Sequence, residues 1–220
     1  GMFVKLRVES SVFDMKRQPR RVTPMTPSTT WETAHNVDFA PPTTERDFAG
    51  KPKAPTQFDL VSYRSEQLHG TMTWDCASML QHYIAANLGG ILSRLENVRA
   101  VELGSGCAVG GMALALAGAK VCFTDKEEIM DHCHENVKRN LGASPALWHS
   151  CTFAPFLWGT NPRSAGLLEP PYDLVVATDP YVKEETRDAF LHACRSVAGP
   201  HTLIIIAFQV RTQAVYDSLL

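Results

Sequence analysis

From residue 57 onward the apolar positions change period several times, and each change marks an element. Phe58-Asp59-Leu60-Val61-Ser62-Tyr63 alternates apolar and polar residues, the period of a half-buried strand. Between Trp74 and Leu88 the apolar residues Met79, Leu80, Tyr83 and Ile84 recur at helical spacing, and Gly89-Gly90 ends the run. A second short helix is expected over Ile91–Leu95. Val98–Leu103 then reads as a strand, Cys107–Ala117 as a helix of small residues and Lys120–Thr124 as a strand. Lys126–Leu141 reads as a helix with Asp125 as N-cap and Gly142 as C-cap, and Ala146–Cys151 as the next strand. A Pro/Gly-rich connection over 152–171 follows. Tyr172–Thr178 is apolar on both faces, as a buried parallel strand must be. Lys183–Val197 predicts a helix, Thr202–Phe208 a strand, and Arg211–Leu220 the start of another helix. Strands alternating with helices predict an α/β fold with a parallel sheet and helices on both faces.

The stretch before residue 57 behaves differently. Seven of the fourteen prolines fall there and no periodicity is sustained. The expected organisation is an extended or partly disordered arm over 1–56, peripheral to any ligand site, and one domain over 57–220.

Charge and cysteine content narrow the chemistry. The 220 residues carry a net charge of −2, with 45% hydrophobic and 20% charged residues, so a soluble globular protein is expected and bulk nucleic-acid binding is not. No apolar run approaches the length of a membrane span, so no membrane partner is expected. The six cysteines form no CxxC pair, and His132-Cys133-His134 has no second ligand cluster at zinc-like spacing, so no metal is expected. Small buried thiols fit a reducing compartment, which makes the cytoplasm the expected location, with the nucleus as the alternative.

One stretch carries most of the functional signal. In Glu102-Leu103-Gly104-Ser105-Gly106-Cys107-Ala108-Val109-Gly110 a strand ends in two glycines, and a helix of small residues follows at once. That turn leaves backbone N–H groups at a helix N-terminus facing open space, where a nucleotide-like ligand sits in α/β sheets. Asp125 ends the next strand, 21 residues after Gly104, where a carboxylate can accept ribose hydroxyls. A dinucleotide fingerprint wants a third glycine where Val109 stands, which disfavours a nicotinamide dehydrogenase. An acid two residues before the first glycine, here Glu102, is common in S-adenosylmethionine (SAM) methyltransferases.

The ordered blocks from Phe58 to Arg211 resemble the seven-β-strand SAM methyltransferases, and in particular the protein-lysine methyltransferases of the methyltransferase-like group called family 16. Thr73-Trp74-Asp75 opens a helix as that family's Trp-Asp block does. Glu102–Cys107 matches its glycine motif and Thr124-Asp125 its ribose motif. Asn136-Val137 with Asn140 matches N-V-x-x-N, and Leu157-Trp158-Gly159 matches L-x-W-G. Tyr172–Asp179 matches Y-D-L-I-L-x-x-D. The resemblance implies a Rossmann-like SAM methyltransferase sheet, SAM as cofactor with S-adenosylhomocysteine as product, and a protein substrate methylated on a side-chain nitrogen, lysine above all. It implies that Gly104, Ser105 and Gly106 line the methionine part of SAM, beside the acidic Glu102. Asp125 would bind the ribose, Trp158 pack on the adenine, Ala177 lie beside the cofactor, and Trp74 contact its methionine end. Asp179 would orient the attacking amine, with Tyr181 and Phe156 lining its channel.

Three departures from the family pattern stand out. Ala108 replaces a usual glycine. The family's D-x-x-Y reads Asp179-Pro180-Tyr181-Val182 here, with the tyrosine one position early. The chain also stops just after Thr202–Phe208, without the β-hairpin that completes seven strands. An apolar edge left open there is a liability. The expected remedies are a chain that is a piece of a longer protein, the preferred reading, or cover by the arm or a second subunit, with Phe58–Tyr63 the best internal candidate. Two other functions stay open. Asp179-Pro180-Tyr181 also resembles the D-P-P-Y motif of amino-methyltransferases acting on glutamine or a nucleobase. A displaced tyrosine also suits a catalytically degenerate SAM-binding interaction module.

Overall fold

The computed structural model describes residues 3–8, 32–38, 57–63, 69–84, 95–163, 168–180 and 186–209. In chain order the strands are β1 (Phe3–Val8), β2 (Glu32–Asp38), β3 (Gln57–Tyr63), β4 (Arg99–Leu103), β5 (Lys120–Asp125), β6 (Cys151–Pro155), β7 (Tyr172–Thr178) and β8 (Ala198–Gln209). The helices are α1 (Asp75–Tyr83), α2 (Val109–Leu116), α3 (Glu127–Leu141), α4 (Pro145–His149) and α5 (Arg187–Val197), with a 3₁₀ turn over His69–Thr71 before α1.

Six strands form one sheet in the order β1-β8-β7-β4-β5-β6, with every neighbouring pair parallel. From β4 in the middle the chain runs outward through β5 and β6, then returns to add β7 and β8 on the other side, where β1 forms the edge. The strand order therefore reverses between β4 and β7, and a crevice opens beyond their carboxyl ends. Side chains alternate across the sheet. Ala100, Val121, Phe123, Leu174, Val176 and Ile205 pack on the face with Leu80, Met112 and Val137. Val101, Leu103, Cys122, Val175 and Ile204 pack on the other, with Phe190, Ala193, Cys194 and Val197 of α5. The expected α/β sheet with helices on both faces is what the chain forms.

Small residues let α2 lie close on the sheet. A Cβ added at Gly111 would come within 2.4 Å of the Phe123 ring and 2.7 Å of the Glu102 carboxyl. The helix backbone thus rests directly on β4 and β5.

The two asparagines of the N-V-x-x-N block build the attachment of β3. Asn136 Oδ1 accepts the Val61 N–H at 2.8 Å, and its Nδ2 donates to the Val61 carbonyl at 3.1 Å. Asn140 does the same for Asp59, at 2.7 and 2.9 Å. Four residues of helix advance about 6 Å and two residues of strand about 6.7 Å, so side-chain amides at i and i+4 match alternate strand residues. They act as a substitute strand along one edge of β3, while β2 pairs antiparallel along the other. Asn136 is fully buried. Asn136→Ala strands a buried N–H and a buried C=O, and is expected to cost about 2–4 kcal/mol in chemical denaturation.

Four expectations change here. Two strands lie in the Pro-rich arm, and one of them, β1, flanks β8 from Phe3↔Ile204 to Val8↔Gln209. Phe58–Tyr63 is not that cover; it pairs with β2 and docks on α3. Pro145 opens a short helix where a strand was expected over Ala146–Cys151, and the strand begins only at Cys151. Lys126, not Asp125, is the N-cap of α3, and the Lys126 side chain makes no capping bond. The expected helices over Ile91–Leu95 and Arg211–Leu220 lie largely or wholly outside the described residues.

Candidate active site

The crevice beyond β4 and β7 gathers most of the residues singled out in the sequence. The loop after β4 turns on three left-handed residues, Gly104 (φ 72°), Gly106 (φ 50°) and Ala108 (φ 66°). A glycine suits the third position without strain, which is the physical content of the family's preference there. Ser105 fastens the loop to β5. Its N–H donates to the Thr124 carbonyl at 2.8 Å, and its Oγ accepts the Thr124 N–H at 3.0 Å. The Ser105 side chain is therefore buried under the loop and acts as a tether.

Asp125 completes the turn. One carboxylate oxygen accepts the Gly106 N–H at 2.8 Å and the other accepts the Lys126 N–H at 2.8 Å. Burial pushes the Asp125 carboxyl above its usual range, and those two N–H bonds oppose the rise. Each oxygen retains acceptor capacity, so two adjacent hydroxyls suit this carboxylate.

Trp158 lies over the same loop. A Cβ on Gly104 would sit 3.1 Å from its Cζ2, and its ring tilts against Phe190 with centroids 5.1 Å apart. Trp74 stands just before α1, half-buried, with its carbonyl accepting the Ala77 N–H at 3.0 Å. Asp179 follows the last residue of β7 with φ 43°, partly exposed, and its N–H donates to the Ala207 carbonyl at 2.8 Å.

Two residues, Glu102 and Phe156, stand elsewhere than expected. Glu102 is fully buried, with its carboxyl pressed against the start of α2: a Cβ on Gly110 would lie 2.6 Å from its Oε1. Neither oxygen completes a hydrogen bond, yet the N–H groups of Gly111 and Gly110 and the Ser105 hydroxyl lie near enough to favour the anion. Burial outweighs them and pushes the pKa up to about 8. Phe156 is 4% exposed and packs in the core facing α5, so it does not line an open channel, and Ala177 at the end of β7 is buried in the same core. Tyr181 lies outside the described residues.

Sequence reasoning missed the strap that crosses the glycine loop. The Gly70 carbonyl covers Gly106 so closely that a Cβ there would meet it at 2.6 Å. Cys107 Sγ points to the Thr71 carbonyl at 3.6 Å, the Val61 carbonyl at 3.9 Å and His132 Nε2 at 3.4 Å. These contacts join residues far apart in the chain, and no local pattern announces them. Among the described residues no group of three His, Cys, Asp or Glu could hold a metal ion, and no helix is long and apolar enough to cross a membrane.

Known proteins are similar to this chain in sequence. A mouse protein N-lysine methyltransferase, METTL21A, is 29% identical over 140 residues, covering 64% of this chain and 61% of its own. Mouse EEF1A lysine methyltransferase 3 is 28% identical over 141 residues, covering 64% and 56%. The Xenopus laevis histone-arginine methyltransferase METTL23 is 26% identical over 147 residues, covering 66% and 59%. The chain thus spans about three fifths of the length of these curated relatives. The family model described as lysine methyltransferase matches residues 55–217, from the strand held by Asn136 and Asn140 through the glycine loop to β8 and beyond, and the chain belongs to that family.

Proposed function

We propose that this protein is a SAM-dependent N-methyltransferase acting on lysine side chains of a protein substrate. The observation that carries the reading is the Gly106–Asp125 hydrogen bond at the strand-order reversal, inside a family match that covers most of the chain. The residues fit SAM. Gly104 and Gly106 present bare backbone, Asp125 offers acceptors for two ribose hydroxyls, and Trp158 supplies a flat apolar surface beside the loop.

Bound SAM supplies an electrophilic methyl group on a sulfonium. The protein must then deliver a neutral amine in line with the S–CH₃ bond, which is chiefly a problem of position. A free lysine amine titrates near ~10.4, so it arrives as a cation. The Asp179 carboxylate at the rim attracts that cation and orients its lone pair once the proton has left to solvent. Tyr181, two residues on, is proposed to line the approach. The six cysteines are free thiols, which suits the reducing cytoplasm that we propose as its location.

The test is calorimetry with SAM. Asp125→Ala is expected to weaken SAM binding by about 1–3 kcal/mol, because it strips the ribose of its acceptors and frees the Gly106 N–H. Tighter binding of NAD than of SAM by the parent protein would overturn the reading.

A further inference from the structure

The strap comprises β3 and the His69–Thr71 turn that leads to Trp74. It meets the glycine loop and α3 around one imidazole nitrogen. Cys107 Sγ of the loop lies 3.4 Å from His132 Nε2, and Asn136 Nδ2 lies 3.3 Å from the same atom. Asn136 in turn holds both polar groups of Val61, and Cys107 faces the Val61 and Thr71 carbonyls.

The donors in this cluster can be assigned. Val61 N–H must find an oxygen, which fixes Asn136 Oδ1 towards it and leaves Nδ2 as the amide group facing His132. An amide NH₂ only donates, so His132 Nε2 accepts and the ring carries its proton on Nδ1. His132 is therefore neutral, in line with the downward push on its pKa from burial. The Cys107 S–H, 3.4 Å away, shares the single lone pair of Nε2 with the Asn136 amide in a three-centre arrangement. One acceptor atom then ties the loop, the helix and, through Asn136, the strap.

We infer that His132 is a positioning residue for the cofactor site, latching the strap onto the glycine loop so that the Gly106 backbone is held at Asp125. Its consequence is mechanical. The Gly70 carbonyl sits on Gly106, and Gly106 N–H is the group bonded to Asp125, so a strap that lifts away disturbs the carboxylate proposed for the ribose. The inference rests on SAM being the ligand of that loop.

Three proteins decide it: the parent, His132→Ala and His132→Gln. Glutamine places a side-chain oxygen near the position of Nε2 and restores the acceptor. His132→Ala is expected to raise the SAM dissociation constant about five- to ten-fold, the loss of roughly one hydrogen bond, with kcat at saturating SAM within about two-fold. His132→Gln is expected to return to within about two-fold of the parent, and this rescue is what a merely space-filling role would not give. Amide exchange at 57–63 and 104–108 is read in parallel. It is expected to quicken in His132→Ala and slow again in His132→Gln, and it needs no SAM. Parent-like SAM affinity and exchange in His132→Ala would overturn the latch, as would a glutamine variant as loose as the alanine one. A parent protein that binds no SAM would overturn the cofactor reading instead, and exchange alone would then decide the latch.

Discussion

Asp179→Asn is expected to lower the proposed methyl-transfer rate by about a hundred-fold or more while SAM affinity stays within about three-fold. The backbone explains the choice of asparagine. Asp179 has φ 43°, a conformation that asparagine adopts with less strain than alanine, and its N–H is fixed on the Ala207 carbonyl. Asparagine keeps that geometry and removes only the charge. A carboxylate that both attracts the lysine cation and aims the amine supplies a charge-assisted hydrogen bond, and a nucleophile misplaced by an ångström loses about a hundred-fold. Single-turnover rates at saturating SAM, beside calorimetric SAM affinity, separate the two effects. Loss of SAM affinity in step with rate would place Asp179 in the cofactor site instead.

The second large effect concerns stability. Burial under α2 holds the Glu102 proton in the native state until about pH 8, whereas its ordinary value is 4.5. Between those pH values the native state binds more protons than the unfolded chain, so this group lowers stability as pH rises. The whole contribution is present below pH 4.5 and is lost by about pH 8. At about 1.4 kcal/mol for each pH unit, the loss amounts to about 4–5 kcal/mol. Glu102→Gln keeps the shape and cannot ionise. It is expected to be more stable than the parent by about 4–5 kcal/mol at pH 8, with the advantage shrinking towards zero near pH 4.5. Urea unfolding at several pH values measures this. A stability difference independent of pH would show that Glu102 ionises freely in the native protein.

These two carboxylates show what the sequence could and could not reveal. β7 was legible because a run apolar on both faces has few uses other than a buried parallel strand, and Asp179 followed from its end. The glycine loop and Asp125 were legible because turn chemistry is local. What Asp125 binds was not, since its partner Gly106 lies 19 residues away and an acid before a helix reads equally well as a cap. Glu102 read as a residue of the ligand site, because nothing local says that α2 would close over it. Two signals were present and outweighed. Val4, Leu6 and Val8 alternate with Lys5 and Arg7 in β1, but the proline-rich stretch that follows, from Pro19 onward, suggests an unstructured arm. Pro145 marked the first turn of α4, but the apolar residues after it suggested a strand. The N-V-x-x-N block was visible as a motif, while its role as a surrogate strand became visible only with β3 lying against it.

The most direct test of the central claim is the identity of the methylated atom. The protein is incubated with SAM carrying a tritiated methyl group and a cell lysate, and the labelled protein is hydrolysed to amino acids. The expected result is label in methyl-lysine, present with the parent protein and lost with Asp179→Asn. Label in methylglutamine or in nucleic acid, or a protein that binds SAM and labels nothing, would contradict it.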